Sequence, residues 1–308
     1  MKILQLMKKI GVIFNKSAGS FQRLNRDPKE WIEEITARNS IKNVEFDIRI
    51  IPAKEINKTI EYFVDNKYDV ITASGGDGTI NGVATIIKDS DAALGVIPSG
   101  TFNHFAKDAG IPLNFEDAVL NLVNGKVSYI DYGSVNDKIF LNNSSIGQYP
   151  IAVLIRERAR KRSNLNKKFA MVLSSIKTSL RYPLIEISVD SEPEAGNIKT
   201  PLVFIGNNYY DMSPLNIGKR SGLDSGKLYA YGSKCTNLLC SLHLAVLAFF
   251  NKSKLSSKFE FVPFTDAVIK SKSTRLPVAA DGEIYKLNTP LHYRMNHKAL
   301  KVILPNSL

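Results

Sequence analysis

The sequence predicts an α/β domain with a mostly parallel sheet over residues 1–132, followed by a β-sandwich domain over 133–308 that carries helical insertions. Three observations predict it. Short β-branched apolar runs alternate with amphipathic segments through the first 130 or so residues, which is the βαβ pattern of a parallel sheet with helices on both faces. Three of those runs end in polar loops rich in glycine, serine and threonine, as the carboxyl ends of such strands do. Near Gly125 the texture changes to period-two alternation broken by turn residues, the signature of antiparallel strands.

In order, the first half reads as a strand at 10–14 and a helix at 28–37 with Asp27 as N-cap and Pro28 in its first turn. Then come a strand at 44–51, a helix at 55–65, a strand at 69–73, a helix at 80–88 and a strand at 93–97. A short helix near 102–109 precedes one at 115–123, which Asn114 caps and Gly125 ends. The second half opens with an alternating strand at 127–135, turns at Asn136-Asp137 and returns at 138–142. Further strands are expected at 184–189, 202–205, 227–231, 258–262, 267–270 and 284–287, with the last strand free to return to the first domain. Helical insertions are expected at 151–182 and 237–251, and Trp31 on the apolar face of the first helix is expected in the core.

Composition narrows the function classes. The formal net charge of +12 over 308 residues favours a negatively charged partner. Cys235 and Cys240 sit in a largely apolar stretch without His or Cys at ligand spacing, so they read as packed thiols of a reducing compartment. The first nine residues are too short and too lysine-broken for a signal peptide, and no apolar run approaches the ~18–20 residues of a spanning helix. The expectation is a cytoplasmic protein, soluble or loosely held at the inner face of a membrane.

The chemistry concentrates in the loops. Gly75-Gly76-Asp77-Gly78-Thr79 connects a buried strand to a helix beginning Ile80-Asn81. Glycines there let backbone N–H groups approach a phosphate, and the helix N-terminus adds the positive end of its dipole. An acid in such a turn, Asp77, suits Mg²⁺ held against phosphate oxygens. Asn15-Lys16-Ser17-Ala18-Gly19 is a second polar loop after the first strand, and Gly100-Thr101-Phe102-Asn103-His104 a third. One glycine-rich turn alone is weak evidence, since such turns also serve as tight connections; three at strand carboxyl ends point to a nucleotide-using phosphotransferase.

Together, Gly75-Gly76-Asp77-Gly78-Thr79-Ile80-Asn81 and Pro98-Ser99-Gly100-Thr101-Phe102-Asn103 resemble the catalytic domain of diacylglycerol kinases and sphingosine kinases, most closely the bacterial soluble lipid kinases of that type. Asn142-Asn143-Ser144-Ser145-Ile146-Gly147, Phe204-Ile205-Gly206-Asn207-Asn208, Leu223-Asp224-Ser225-Gly226 and Asp281-Gly282-Glu283 follow in the family's order, so the resemblance spans nearly the whole chain. It implies an NAD-kinase-like α/β domain and a β-sandwich, with ATP in the cleft between them. It implies that Asn15, Lys16, Ser17, Ala18 and Gly19 form a first phosphate loop and Gly75 through Asn81 a second, that Gly100, Thr101 and Asn103 contact ATP, and that Glu283 takes the proton of the lipid hydroxyl. Whether Asp77 or Glu283 is the base stays open at this stage. Turn chemistry alone makes Asp281-Gly282 a plain hairpin and Glu283 a solvated strand end.

Two departures from the family pattern stand out. Ser225 occupies a position where relatives carry an Asp that helps bind a structural Mg²⁺, and a hydroxyl is a poor ligand for a hard cation, which leaves Asp224 and backbone carbonyls for a doubtful site. Lys16 stands where proline is common and could still reach phosphate.

The basic stretch 156–168, flanked by apolar residues, reads equally as a solvated helix face or as a peripheral dock on an anionic membrane. It lacks the interleaved aromatics of a nucleic-acid site, and none is expected. His104, His243, His292 and His297 show no ligand or triad spacing, although His104 lies in the Thr101 loop. No pattern encodes an oligomeric state; a homodimer is the expectation from the frequency of two-fold assemblies. The resulting expectation is an ATP- and Mg²⁺-dependent lipid kinase acting foremost on diacylglycerol. Its rivals are a soluble-substrate kinase of the NAD-kinase type and a non-catalytic nucleotide- or lipid-binding protein.

Overall fold

The computed structural model describes residues 7–16, 21, 26–147, 185–190, 196–200, 202–211, 219–233, 259–271 and 273–306. The insertions expected at 151–182 and 237–251, the basic stretch 156–168, both cysteines, His243, and Ser17, Ala18 and Gly19 of the first loop lie outside the described residues. The chain divides into two compact units, Met1–Ile130 with Lys298–Leu308, and Asp131–His297.

The first unit is built on the parallel strands β1 (Lys8–Asn15), β2 (Val44–Ile51), β3 (Val70–Gly75) and β4 (Ala93–Pro98), in the order β2-β1-β3-β4. Ile10 pairs with Phe46 on one side and Val70 on the other, and Ile71 pairs with Leu94. Every residue of β3 and β4 is buried, which is why both read as unbroken apolar runs. Five helices join them: α1 (Pro28–Arg38), α2 (Ile56–Asp65), α3 (Asp77–Ile87), α4 (His104–Asp108) and α5 (Phe115–Asn124). Ile10, Val12 and Phe14 of β1 share a core with Ile32 and Ile35 of α1 and with Ala118, Val119 and Leu122 of α5. The opposite face receives Phe63 of α2, whose ring sits where a Cβ on Gly11 would come within 2.5 Å. Alternation along β1 thus feeds two helical layers.

The local signals of these helices hold. Asp27 Oδ1 accepts the N–H groups of Lys29 and Glu30, Asn114 Oδ1 accepts that of Asp117, and each such cap stabilises its helix by about 1 kcal/mol. Trp31 stacks on Phe115 at 4.2 Å between ring centroids, half-buried against the core. One boundary differs from expectation: the helix after the glycine-rich turn starts at Asp77 rather than Ile80. Thr79 and Ile80 both donate to the carbonyl of Gly76, so three residues that read as loop form the first helical turn.

The remaining strands, all but parts of β5 and β18 in the second unit, are β5 (Lys126–Val135), β6 (Lys138–Phe140), β7 (Asn143–Gly147), β8 (Ile185–Asp190), β9 (Gly196–Thr200), β10 (Leu202–Asn207), β11 (Tyr210–Asp211), β12 (Lys219–Arg220) and β13 (Leu228–Ser233). They continue as β14 (Phe259–Phe264), β15 (Asp266–Lys270), β16 (Arg275–Ala280), β17 (Glu283–Asn288) and β18 (Leu291–Leu304). One antiparallel sheet runs β14-β13-β10-β7-β16-β17. Facing it, β15 lies between β8 and β18, with β9 beyond β8 and the β5–β6 hairpin beside β18. Val135, Phe140, Ile269 and Tyr293 from this layer share a core with Ile146, Ile205, Leu228 and Val278 from the first sheet, which is the expected sandwich.

Strands β7, β9, β11, β12, β16 and β18 were not legible as separate elements. Strand β18 is the most instructive. Its first half alternates buried and exposed residues against β15, while Val302 near its end pairs in parallel with Leu94 of β4. The chain passes between the units in β5, at Ile130–Asp131, and in β18, at His297–Lys298. Asp131, fully buried, accepts from the amide of Gly226 at 2.7 Å and lies 2.8 Å from Nδ1 of His297.

Candidate active site

In the first unit, three loops follow the carboxyl ends of β1, β3 and β4. Asn15 ends β1, and the amide of Lys16 donates to the carbonyl of Ile51. Gly76 is the N-cap of α3, and no side chain caps that helix. The first N–H groups of a helix lack intrahelical acceptors, so the amides of Asp77 and Gly78 have none within α3.

The second and third loops are pressed together backbone to backbone. A Cβ on Gly100 would lie 2.5 Å from the Cα of Gly76, and one on Gly76 would lie 3.2 Å from the Cα of Gly100. At Gly100 the close approach, rather than a turn conformation, requires glycine, while a methyl group on Gly76 would need its neighbour to give by a few tenths of an ångström. A Cβ on Gly75 would in turn meet Oγ1 of Thr79 at 2.5 Å. The amide of Ser99 donates to the carbonyl of Gly75 at 3.0 Å. Within the third loop Asn103 takes a left-handed conformation, φ +50°, and folds its side chain back: Oδ1 accepts the amide of Gly100 at 2.9 Å and Nδ2 donates to the Gly100 carbonyl.

Asp77 ties the two loops further. Its Oδ1 accepts the amide of Phe105 at 2.9 Å and its Oδ2 that of His104 at 3.2 Å. An ionised carboxylate offers about four lone-pair sites, so two remain for a cation after these two bonds. Asp77 therefore fits a Mg²⁺ ligand and is at the same time the cap of α4. Thr101 is exposed, and Phe102, 66% exposed, stacks on His104. The side chain of Ile80 is fully buried, so that residue contributes to the core rather than to ligand contact, while Asn81 is half-buried and its Oδ1 accepts from Thr85.

In the second unit, Asp281 and Gly282 form the two-residue turn between β16 and β17, with φ of +46° and +85°. This is a hairpin, as turn chemistry alone suggests. The side chain of Asp281 gives it a further role: Oδ2 accepts the amide of Leu141 at 2.7 Å, and Oδ1 those of Asn142 at 2.8 Å and Asn143 at 3.1 Å. The turn is thus fixed to the loop between β6 and β7. Glu283 opens β17, exposed, and its Oε2 accepts a 2.7 Å hydrogen bond from the Tyr285 hydroxyl. Sequence reasoning missed Tyr285; the cue was its spacing of two from Glu283 on a strand.

Asp224 is exposed next to Ser225, whose amide and hydroxyl both donate to Oδ1 of Asn208 at 2.7 and 2.5 Å. Ser225 is therefore committed to a side-chain amide. Among the described residues, no group of three or more His, Cys, Asp or Glu could hold a metal ion.

Residues 9–135 match the family model described as the diacylglycerol kinase catalytic domain. The resemblance of these residues to a diacylglycerol kinase catalytic domain is thereby borne out. A diacylglycerol kinase of Bacillus subtilis is 28% identical over 244 residues, which is 78% of this chain and 78% of that protein. A diacylglycerol kinase of Staphylococcus aureus is 23% identical over 308 residues, spanning 98% of this chain and 94% of its own. The crystal structure of a diacylglycerol kinase from Bacillus anthracis matches with a TM-score of 0.66 over 96% of this chain and 97% of that one, at 19% identity, a likeness of fold. The diacylglycerol kinase match covers all three loops of the first unit and supports a kinase. No helix among the described residues is long and apolar enough to cross a membrane.

Proposed function

We propose that the protein transfers the γ-phosphoryl group of ATP to the hydroxyl of a lipid, diacylglycerol foremost, giving a phosphatidic acid. The observation that carries the reading is the uncapped N-terminus of α3 held against the third loop by the Gly76–Gly100 contact and the Asp77 carboxylate. Phosphoryl transfer asks a protein for positioning and charge neutralisation more than for covalent chemistry. Amides of Asp77 and Gly78 cradle phosphate oxygens, and Lys16, following β1, adds a cation. Asp77 would hold Mg²⁺, which when bound would neutralise charge on the phosphates. Thr101 contacts the nucleotide from the third loop.

Glu283 is the proton acceptor. As the lipid oxygen bonds to the γ-phosphorus, its O–H proton passes to the carboxylate while the bond from phosphorus to the β–γ bridging oxygen breaks, leaving ADP. Asp281 cannot share that task easily, because both of its oxygens already accept backbone amides. This division of roles favours Glu283 over Asp77 as the base, since Asp77 carries the loop brace and the metal. The basic stretch 156–168 would bring the enzyme to an anionic bilayer holding its substrate.

The test is transfer of labelled γ-phosphate from ATP·Mg²⁺ to lipids in mixed micelles, with diacylglycerol, monoacylglycerol, a sphingoid base and NAD offered in parallel. Labelled phosphatidic acid that disappears with Asp77→Asn and with Glu283→Gln supports the reading. Label on NAD alone moves the substrate to a soluble acceptor, and ATP binding without any turnover makes the protein a binder.

A further inference from the structure

A carboxylate that accepts a proton during phosphoryl transfer must present one particular oxygen, and Glu283 by itself has nothing to hold it. It opens β17 and is exposed, and its backbone is fixed by the Asp281–Gly282 turn. The side chain is free to rotate unless something on the same face restrains it. On a strand, the residue two positions on is that neighbour.

Tyr285 occupies the position. Its hydroxyl donates to Oε2 of Glu283 at 2.7 Å, and its own ring is half-buried with the Lys138 ammonium 5.5 Å from the ring centre. Lys138 pairs with Asp137 at 2.7 Å, so the ring packs against a hairpin whose charges are balanced. Burial, followed by the hydrogen bond to Glu283 and the charges of Glu283, Asp281 and Asp137, pushes the Tyr285 phenol well above its ordinary value. The hydroxyl therefore stays protonated and stays a donor.

We propose that Tyr285 is the positioning residue of Glu283: its hydroxyl occupies Oε2 and leaves Oε1 as the oxygen that receives the proton of the acceptor alcohol. The inference rests on the reading of Glu283 as the base. The proton of the alcohol moves to Oε1, the alcohol oxygen bonds to phosphorus, ADP departs, and Tyr285 keeps its own proton throughout. A backbone anchor alone, from Asp281, fixes the Cα of Glu283; the tyrosine fixes the carboxylate.

The experiment is a double-mutant cycle on the full chain, measuring kcat and both KM values for ATP·Mg²⁺ and diacylglycerol in mixed micelles, with thermal melting of each protein. Tyr285→Phe removes a single oxygen. The expected result is a fall in kcat of about tenfold with the KM for ATP unchanged and the melting temperature retained, the scale of one hydrogen bond to a charged group. Glu283→Gln should cost about 100-fold or more, and adding Tyr285→Phe to it should cost nothing further, because the tyrosine then has no carboxylate to orient. If Glu283→Gln is severely impaired while Tyr285→Phe turns over like the parent, the positioning role is overturned and the base assignment stands. If Tyr285→Phe costs the same in both backgrounds, it acts independently of Glu283 and the inference is likewise overturned. If Glu283→Gln is fully active, or the parent chain phosphorylates no lipid, the reading of the site falls and this inference with it.

Discussion

Replacing Gly100 by alanine adds one methyl group at the point where two backbones meet. The new Cβ would lie 2.5 Å from the Cα of Gly76, 2.7 Å from Oδ1 of Asn103 and 3.2 Å from the amide nitrogen of Gly76. Ordinary carbon–carbon contact is about 3.5–4.0 Å, so Gly76 or the third loop must retreat by about 1 Å. Neither gives way cheaply, because Gly76 caps α3 and the loop is tied down by Asn103 and Asp77. Overpacking of this kind costs about 1–3 kcal/mol, or a fall in melting temperature of about 2–10 °C. The larger effect falls on catalysis: a displacement of about 1 Å at a positioning element costs on the order of 100-fold. Differential scanning calorimetry and initial rates at varied ATP read both quantities. Gly82→Ala is the control, since it sits exposed in α3 with nothing within 4 Å of the new methyl. It should raise stability by about 0.5–1 kcal/mol from helix propensity. A Gly100→Ala protein that melts like the parent and keeps its KM for ATP would refute the argument that these glycines exist for close approach.

Asp77 separates stability from turnover. Asp77→Ala should lose about 1 kcal/mol, the size of a helix cap, whereas Asp77→Asn keeps one acceptor oxygen for the α4 amides; both should abolish phosphoryl transfer, as melting curves and labelled-phosphate assays would show. Asp281→Ala strands three backbone amides and should destabilise the second unit by about 2–4 kcal/mol in urea unfolding, with Asp281→Asn intermediate. Tyr68, held by burial and by its hydrogen bond to Asp47, has its phenol pushed up to about 12 from an ordinary 10.0. The folded state then keeps a proton that the unfolded chain loses, so stability is fully present below pH 10 and declines as pH rises toward 12. Urea midpoints at pH 9 and pH 11 should fall less for Tyr68→Phe than for the parent.

Much of this molecule is written locally. The strand–helix alternation to residue 124, the caps Asp27 and Asn114, the turn at Asn136-Asp137 and the glycine-rich loops all follow from periodicity and from residues with one strong backbone preference. That the chain is a kinase was legible for the same reason: a glycine-rich turn from strand to helix is a local object, made of consecutive residues. Strand β18 was not legible, since Asn296-His297-Lys298-Ala299 breaks its pattern and its two halves serve different neighbours.

Local pattern set the inventory: two kinds of layer, three loops at strand carboxyl ends, and a carboxylate in a tight hairpin. Long-range packing chose the partner of each carboxylate. Asp77 reaches amides 27 and 28 positions away, Asp281 reaches amides 138 to 140 positions away, and Asp131 reaches Gly226 and His297 across 95 and 166. Local propensity carries no information at such separations. A charged side chain that folding brings near unpaired backbone amides will satisfy them, because leaving them buried and unbonded costs more than any local preference can return.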